Sequence, residues 1–391
     1  MKNTSVCVLL LSLFFQNPLF SQDNSTDLTP KYSNEFLNIG VGARALGMSA
    51  SQVASVNDVT SGYWNPAGLS QIGPKIQVAA MHSEYFAGIA KYDYASIGKA
   101  IDTSSAAAFS IIRFGVDDIP NTTNLIDEGG NIDYDRITKF SAVDYAFIFS
   151  YGQKGLTRNA AMSATGNRFV SSINNKDRFS WGVNAKIIYR HIGDFAQGWG
   201  FGIDAGVQYR VRNWHAGAVA KDITSTFNAW SYSLDNQTKE VFINTGNEIP
   251  SNGLEITLPR VVAGFGRSFN MKKTTLLAEV NATMTTDGKR NVLVSANPVS
   301  IDPSFGLEAI YNKTIFVRGG IGNFQRVLGF ENARSMTFQP NIGLGLRIRT
   351  LQIDYALSDI GNVSDVLYSN VFSLRLFING SSKNNNAVLF M

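Results

Sequence analysis

The chain has 391 residues, 34 basic and 30 acidic side chains and a formal charge of +4, with 35 glycines, 26 phenylalanines, 14 tyrosines and only 16% charged residues. So small a charge excess, with no basic run, argues against nucleic-acid binding. The single cysteine, Cys7, lies in the N-terminal leader, so the mature chain has no thiol for a disulfide or a thiolate metal site.

Residues 1–21 have the layout of a secretory signal: Lys2, an apolar core from Val6 to Phe15, a break at Pro18 and a small residue at Ser21, with cleavage expected before Gln22. The core is shorter than the roughly 20 residues needed to span a bilayer as a helix. Residues 22–35 are polar and read as a flexible lead. Residues 36–73 are rich in small and apolar residues, punctuated by Gly42, Gly47, Gly62 and the step Asn65-Pro66-Ala67. A short helix is expected over Ala43 to Val56.

From Lys75 the period becomes two, which sends successive side chains to opposite faces of a strand. Trp199, Phe201, Ile203, Ala205, Val207 and Tyr209 fall on one face, and Gly200, Gly202, Asp204, Gly206, Gln208 and Arg210 on the other. Phe179 to Arg190 repeats the pattern. Strands of 10 to 12 residues whose apolar rows begin and end in an aromatic fit a membrane-spanning β-barrel, with rings at the two interfaces and glycine leaving room in the lumen.

Fourteen strands are expected, near 75–84, 86–96, 104–114, 140–151, 179–190, 199–210, 214–222, 260–269, 274–282, 304–311, 315–322, 339–348, 349–357 and 370–378. Segment 291–296 is left in a loop, since chain ends on one side of the membrane require an even number. Long loops then share one side, at 115–139, 223–259, 283–303, 323–338 and 358–369. The connection 152–178, with a helical turn expected at Asn159 to Ala164, breaks the rule of short turns on the other side. The barrel spans 74–378, and 379–391 form a tail beyond Phe377.

Two stretches resemble the PorV/PorQ family of outer-membrane proteins, itself similar to FadL-type barrels: Ile39-Gly40-Val41-Gly42-Ala43-Arg44-Ala45-Leu46-Gly47-Met48 and Tyr63-Trp64-Asn65-Pro66-Ala67-Gly68-Leu69. Val317 to Asn323, Gly343 to Arg347, Ile353 to Leu357 and Phe372 to Phe377 match at the far end. The resemblance implies an all-β, 14-stranded antiparallel barrel with an N-terminal plug or hatch at 36–73, in the outer membrane of Bacteroidetes. It also implies a role in type IX protein secretion, through contact with translocon or attachment proteins and their cargo in a setting of outer-membrane lipid. The alternative it carries is a FadL-like transporter whose ligand is a hydrophobic small molecule.

Asn65, Pro66 and Ala67 are the plug motif, either a fixed bend or a gate; Pro66 sets its own φ and turns Asn65 away from helix. Lys186, Arg190, Asp204 and Arg210 are the lumen-facing polar candidates, expected to pair with one another and with the plug, as are Arg347 and Arg375. Gly200-x-Gly202 and Gly264-x-Gly266 lie in strands with no helix following, which argues against a dinucleotide site. His82, His191 and His215 lack metal-ligand spacing and there is no Gly-x-Ser-x-Gly elbow, so no catalytic residue, cofactor or metal is expected.

Overall fold

Alternation dictates the architecture: a strand with one apolar and one polar or glycine face buries the second by curling round it. The computed structural model describes residues 33–126, 129–155, 178–328, 334–358 and 369–378. Its strands are β1 (Ile76–Tyr85), β2 (Ala90–Ala100), β3 (Ser105–Asn121), β4 (Thr138–Lys154), β5 (Phe179–Ile192), β6 (Ala196–Val211), β7 (Trp214–Lys221), β8 (Thr226–Tyr232), β9 (Gly253–Thr257), β10 (Arg260–Asn270), β11 (Thr274–Thr285), β12 (Ser300–Tyr311), β13 (Ile315–Leu328), β14 (Arg334–Ile348), β15 (Leu351–Ser358) and β16 (Ser369–Ile378).

Pairing is antiparallel throughout. β1 pairs with β16, from Ile76 opposite Ile378 to Glu84 opposite Asn370, and β5 pairs with β6 over their full length. The ring therefore closes with fourteen strands, β1 to β7 and β10 to β16. Closure removes both sheet edges, the condition for spanning a bilayer with strands.

Within β6, Trp199, Phe201, Val207 and Tyr209 are exposed on the outer face, while Gly198, Gly200, Gly202, Asp204, Gly206 and Gln208 are buried toward the lumen. β16 repeats this with Phe372, Leu374 and Leu376 outside, and β14 with Ile342, Leu344 and Leu346. The outer wall is thus a belt of exposed apolar side chains, the surface that lipid covers in membrane barrels. Among the described residues no helix is long and apolar enough to cross a membrane.

Each of the fourteen expected strands is present, and several run longer than their alternation suggested. Segment 291–296 forms no strand; Val294 makes a lone bridge to Ile301. The second strand starts at Ala90 rather than residue 86, because Phe86 and Ala87 take φ of 53° and 56° ahead of Gly88 in a tight turn. Loop 223–259 is not structureless. It carries β8, β9 and a helix at Asn236–Asn244 capped by Asp235, whose carboxylate accepts from the Thr238 amide.

β8 pairs with β6 from Ala196 to Phe201, whereas β7 pairs with β6 only from Ala205 to Val211. Above Ile203 the wall therefore splits: β6 continues into the β8–β9 hairpin, while β7 and β10 stop at Lys221 and Arg260. The expected helical turn at Asn159 to Ala164, the signal segment and the tail 379–391 lie outside the described residues.

Candidate functional site in the lumen

The interior is filled from the N-terminal side. Residues 33–72 are almost entirely buried, and they touch inward-facing positions round the ring. The helix expected over Ala43 to Val56 reduces to one turn, Ala43–Leu46, followed by turns in which Ser49 and Ala50 have φ of 50° and 62°. Glycine at 47, and the packing of residues 47–50 on the wall, leave no room for a longer cylinder. Burial also reaches further toward the N-terminus than residue 36. Ser33 and Asn34, placed in the flexible lead, are buried, and both hydrogen-bond the Thr257 hydroxyl on β9.

Glycines let this backbone lie flat on the wall. A Cβ at Gly182 or Gly152 would overlap the Pro66 carbonyl, one at Gly206 the Asn65 side chain, and one at Gly320 the Met48 carbonyl carbon. The plug motif sits in this cradle. Asn65 is extended (φ −160°, ψ 105°), as a residue before proline must be, and caps the 3-10 turn Pro66–Gln71 by accepting from the Ala67 amide at 3.2 Å. Its Nδ2 donates to the Val53 carbonyl at 3.0 Å and to the Val207 carbonyl of β6 at 3.1 Å.

Two buried ion networks line the lumen, and the first joins segment to wall. In the first, Arg44 donates to Glu308 of β12 at 2.9 Å, Arg318 of β13 donates to Glu308 at 2.8 Å and to Asp354 of β15 at 2.7 Å, and Arg375 of β16 pairs with Asp58 and Asp354. In the second, Lys186 of β5 lies 2.7 Å from Asp204 and 2.5 Å from Asp222.

The four polar candidates therefore separate. Lys186 and Asp204 belong to one buried cluster. Arg210 donates to the carbonyls of Ser55 and Val56 at 3.1 and 2.8 Å, tying down the interior segment. Arg190 lies apart, toward the long-loop rim, bonded to Asp144 at 2.8 Å and Glu255 at 3.3 Å, with its guanidinium 4.9 Å from the Trp230 ring. Arg375 pairs as expected, but among the described residues Arg347 has no carboxylate partner; Gln352 stands opposite it on β15, and its guanidinium lies 4.3 Å from the ring of Phe377 on β16.

Sequence reasoning missed Glu308, Arg318 and Asp354, three of the most deeply buried charges, although each sits at an inward position of an alternating strand. Strand parity alone could have found them. It also missed Glu279 of β11, which accepts from the Ala54 amide at 2.8 Å. His82 pairs with Asp93 at 2.7 Å and His215 with Ser268 at 2.9 Å, and among the described residues no group of His, Cys, Asp or Glu side chains could hold a metal ion.

Above the interior segment, on the long-loop side, the lumen opens into a cavity of about 620 Å3. Its floor is Leu37, Ile39, Tyr63 and Trp64, and its wall comes from β7 and β10 to β15, including Lys221, Arg260 and Asp302. A space of this size, walled by both apolar and polar groups, has the dimensions of a small-molecule site.

Solved structures share this fold. The Pseudomonas putida toluene transporter TodX superposes with a TM-score of 0.52 at 11% identity, over 87% of this chain and 98% of that one. This is the 14-stranded fold of the FadL-type barrels. The Ralstonia pickettii toluene transporter TbuX (TM-score 0.50, 13% identity, 87% and 98% covered) and the CymD monoaromatic hydrocarbon channel (0.50, 11%, 88% and 98%) match in the same way. At such identities the likeness concerns the fold. No family model and no curated protein matches the sequence, so the PorV/PorQ resemblance, and with it Bacteroidetes and type IX secretion, gains no support from these comparisons.

Proposed function

We propose that the protein is an outer-membrane channel that passes hydrophobic small molecules, with residues 36–73 as its hatch and Asn65-Pro66-Ala67 as the hinge of that hatch. The observation that carries this reading is the cavity at the long-loop mouth whose floor is the interior segment itself, so that a route onward down the lumen requires that segment to shift. The fold shared with TodX, TbuX and CymD supports it, and so does the FadL-like alternative implied by the N-terminal motif.

The wall is built for such a shift. Asn65 holds the wall through the carbonyls of Val207 and Ala218 rather than an ion pair, and Pro66 and Ala67 rest on bare glycine backbone. Neutral contacts of this kind are worth about 1 kcal/mol each, far less than the cost of breaking a buried ion pair. The hatch therefore yields first at Asn65-Pro66-Ala67, while Arg44 and Asp58 stay anchored.

The test is uptake of radiolabelled toluene by cells or proteoliposomes carrying the protein. Wild type should exceed empty membranes, and Asn65→Ala should change the rate severalfold. Equal uptake with and without the protein would overturn the reading.

A further inference from the structure

Among the described residues, two cations of the cavity make no ion pair with a carboxylate. Lys221, at the end of β7, is 8% exposed, and Arg260 stands directly opposite it at the start of β10. Neither makes an ion pair within 4 Å among the described residues. The carboxylates nearest to Lys221 along the chain and the wall, Asp222 and Asp204, are both claimed by Lys186 at 2.5 and 2.7 Å. The Lys221 ammonium instead lies 4.2 Å from the Tyr63 ring centre and 5.7 Å from that of Trp64. The Arg260 Nε is buried with no hydrogen-bond partner.

Two like charges facing each other across one strand pair, one of them more than nine-tenths buried, are costly unless an anion sits between or above them. The other charges on the lining do not supply it. Glu35 is 3.5 Å from Arg290, which is also bonded to Asp287 at 2.6 Å. Asp302 lies on β12, two strands from β10 and so about 10 Å along the sheet. It pairs with neither cation, and its carboxylate repels a second anion from that side of the cavity.

We infer that Lys221 and Arg260 form an anion site in the channel mouth, and that the cavity takes a compact organic carboxylate. The carboxylate binds Lys221 and Arg260, and the apolar body lies on Tyr63, Trp64, Leu37 and Ile39. Tyr63 and Trp64 hold the lysine in place by cation–π attraction while leaving its N–H donors free to face the ligand. Asp302 fixes the orientation by excluding the opposite one. The inference rests on the channel reading and narrows it to substrates bearing one negative charge.

Benzoate and toluene test it as a matched pair, since they share a ring and differ in the charged group. Binding is measured by titration calorimetry on the detergent-solubilised full chain, and permeation in proteoliposomes, with heat-modifiable gel migration showing that each variant is folded. Wild type should bind benzoate at least tenfold more tightly than toluene, with affinity falling as salt rises. Lys221→Met and Arg260→Met should each cost benzoate about tenfold or more and change toluene binding by a much smaller factor, so that the ratio of the two affinities collapses. Lys221→Arg should retain most of the benzoate affinity, and Asp302→Asn should hold or raise it. Toluene permeating while benzoate binds no better than to the Lys221→Met, Arg260→Met double variant overturns the anion site alone. Failure of both compounds to bind or permeate overturns the channel reading as well.

Discussion

Arg44 of the interior segment and Glu308 of β12 face each other as a two-pronged pair, with Nη2 2.9 Å and Nε 3.1 Å from the carboxylate, and Arg318 completes the other side of Glu308 at 2.8 Å. One carboxylate thus serves two guanidinium groups, one on the segment and one on the wall. Glu308→Gln leaves both arginines under-neutralised in a buried setting, and removal of one partner of such a set costs about 3–5 kcal/mol. We expect a lower urea midpoint with an unchanged slope in unfolding from detergent or vesicles. Arg44→Met should cost less and act locally: the barrel keeps its heat-modifiable migration while residues 33–58 become open to protease.

Gly319 and Gly320 form an internal control. Nothing lies within 4 Å of a Cβ placed on the outward Gly319, whereas one on the inward Gly320 would overlap the Met48 backbone. Gly319→Ala should therefore fall within about 0.5 kcal/mol of wild type, and Gly320→Ala should destabilise by about 1–3 kcal/mol. Equal effects in equilibrium unfolding would mean that the interior segment does not press on the wall at this point.

Asn65→Ala removes the bonds to the Val53 and Val207 carbonyls and one cap at a fully buried position, while the Val53 carbonyl keeps its bond from the Gln208 side chain at 3.1 Å. The expected cost is about 1–3 kcal/mol. Faster amide hydrogen exchange at residues 65–70, with the strands unaffected, is the accompanying signature.

The loop after β11 should loosen in acid. Burial by itself would raise the Asp287 carboxyl, but Arg290, bonded to it at 2.6–3.0 Å, overcomes this and holds it below the ordinary carboxylate range. A depressed folded-state pKa means that the contribution is present above the unfolded pKa of about 4 and is lost as pH falls through the lower folded value. Hydrogen exchange around residues 287–300 should rise below pH 4 in wild type, and be raised already at pH 7 in Asp287→Asn.

The barrel was legible because its code is local. Each strand announces itself through parity, as Trp199 to Arg210 does, and glycine at 200, 202 and 206 marks the face that something must lie against. What lies there was half legible: the motif around Asn65 was visible, but the single helical turn at Ala43–Leu46 was not, since its length is set by the wall. Partners across the lumen were hidden for the same reason. Glu308 and Arg44 are 264 positions apart, and no periodicity links them. The β8–β9 hairpin escaped notice because its strands are short and edge-like, held by Arg190, Trp230 and Glu255 rather than by an alternating apolar face.

The last strand carries two duties at once. Along its edge β16 completes the ring by pairing with β1, and across its inner face the Ser373 hydroxyl accepts from the Ala43 amide at 3.0 Å while Arg375 engages Asp58. Without residues 369–378 in place the ring is therefore open and the interior segment lacks two of its fastenings, at Ala43 and at Asp58. Closure of the ring and the hold on Ala43 and Asp58 thus share one strand, so a change in β16 that loosens the first loosens the second.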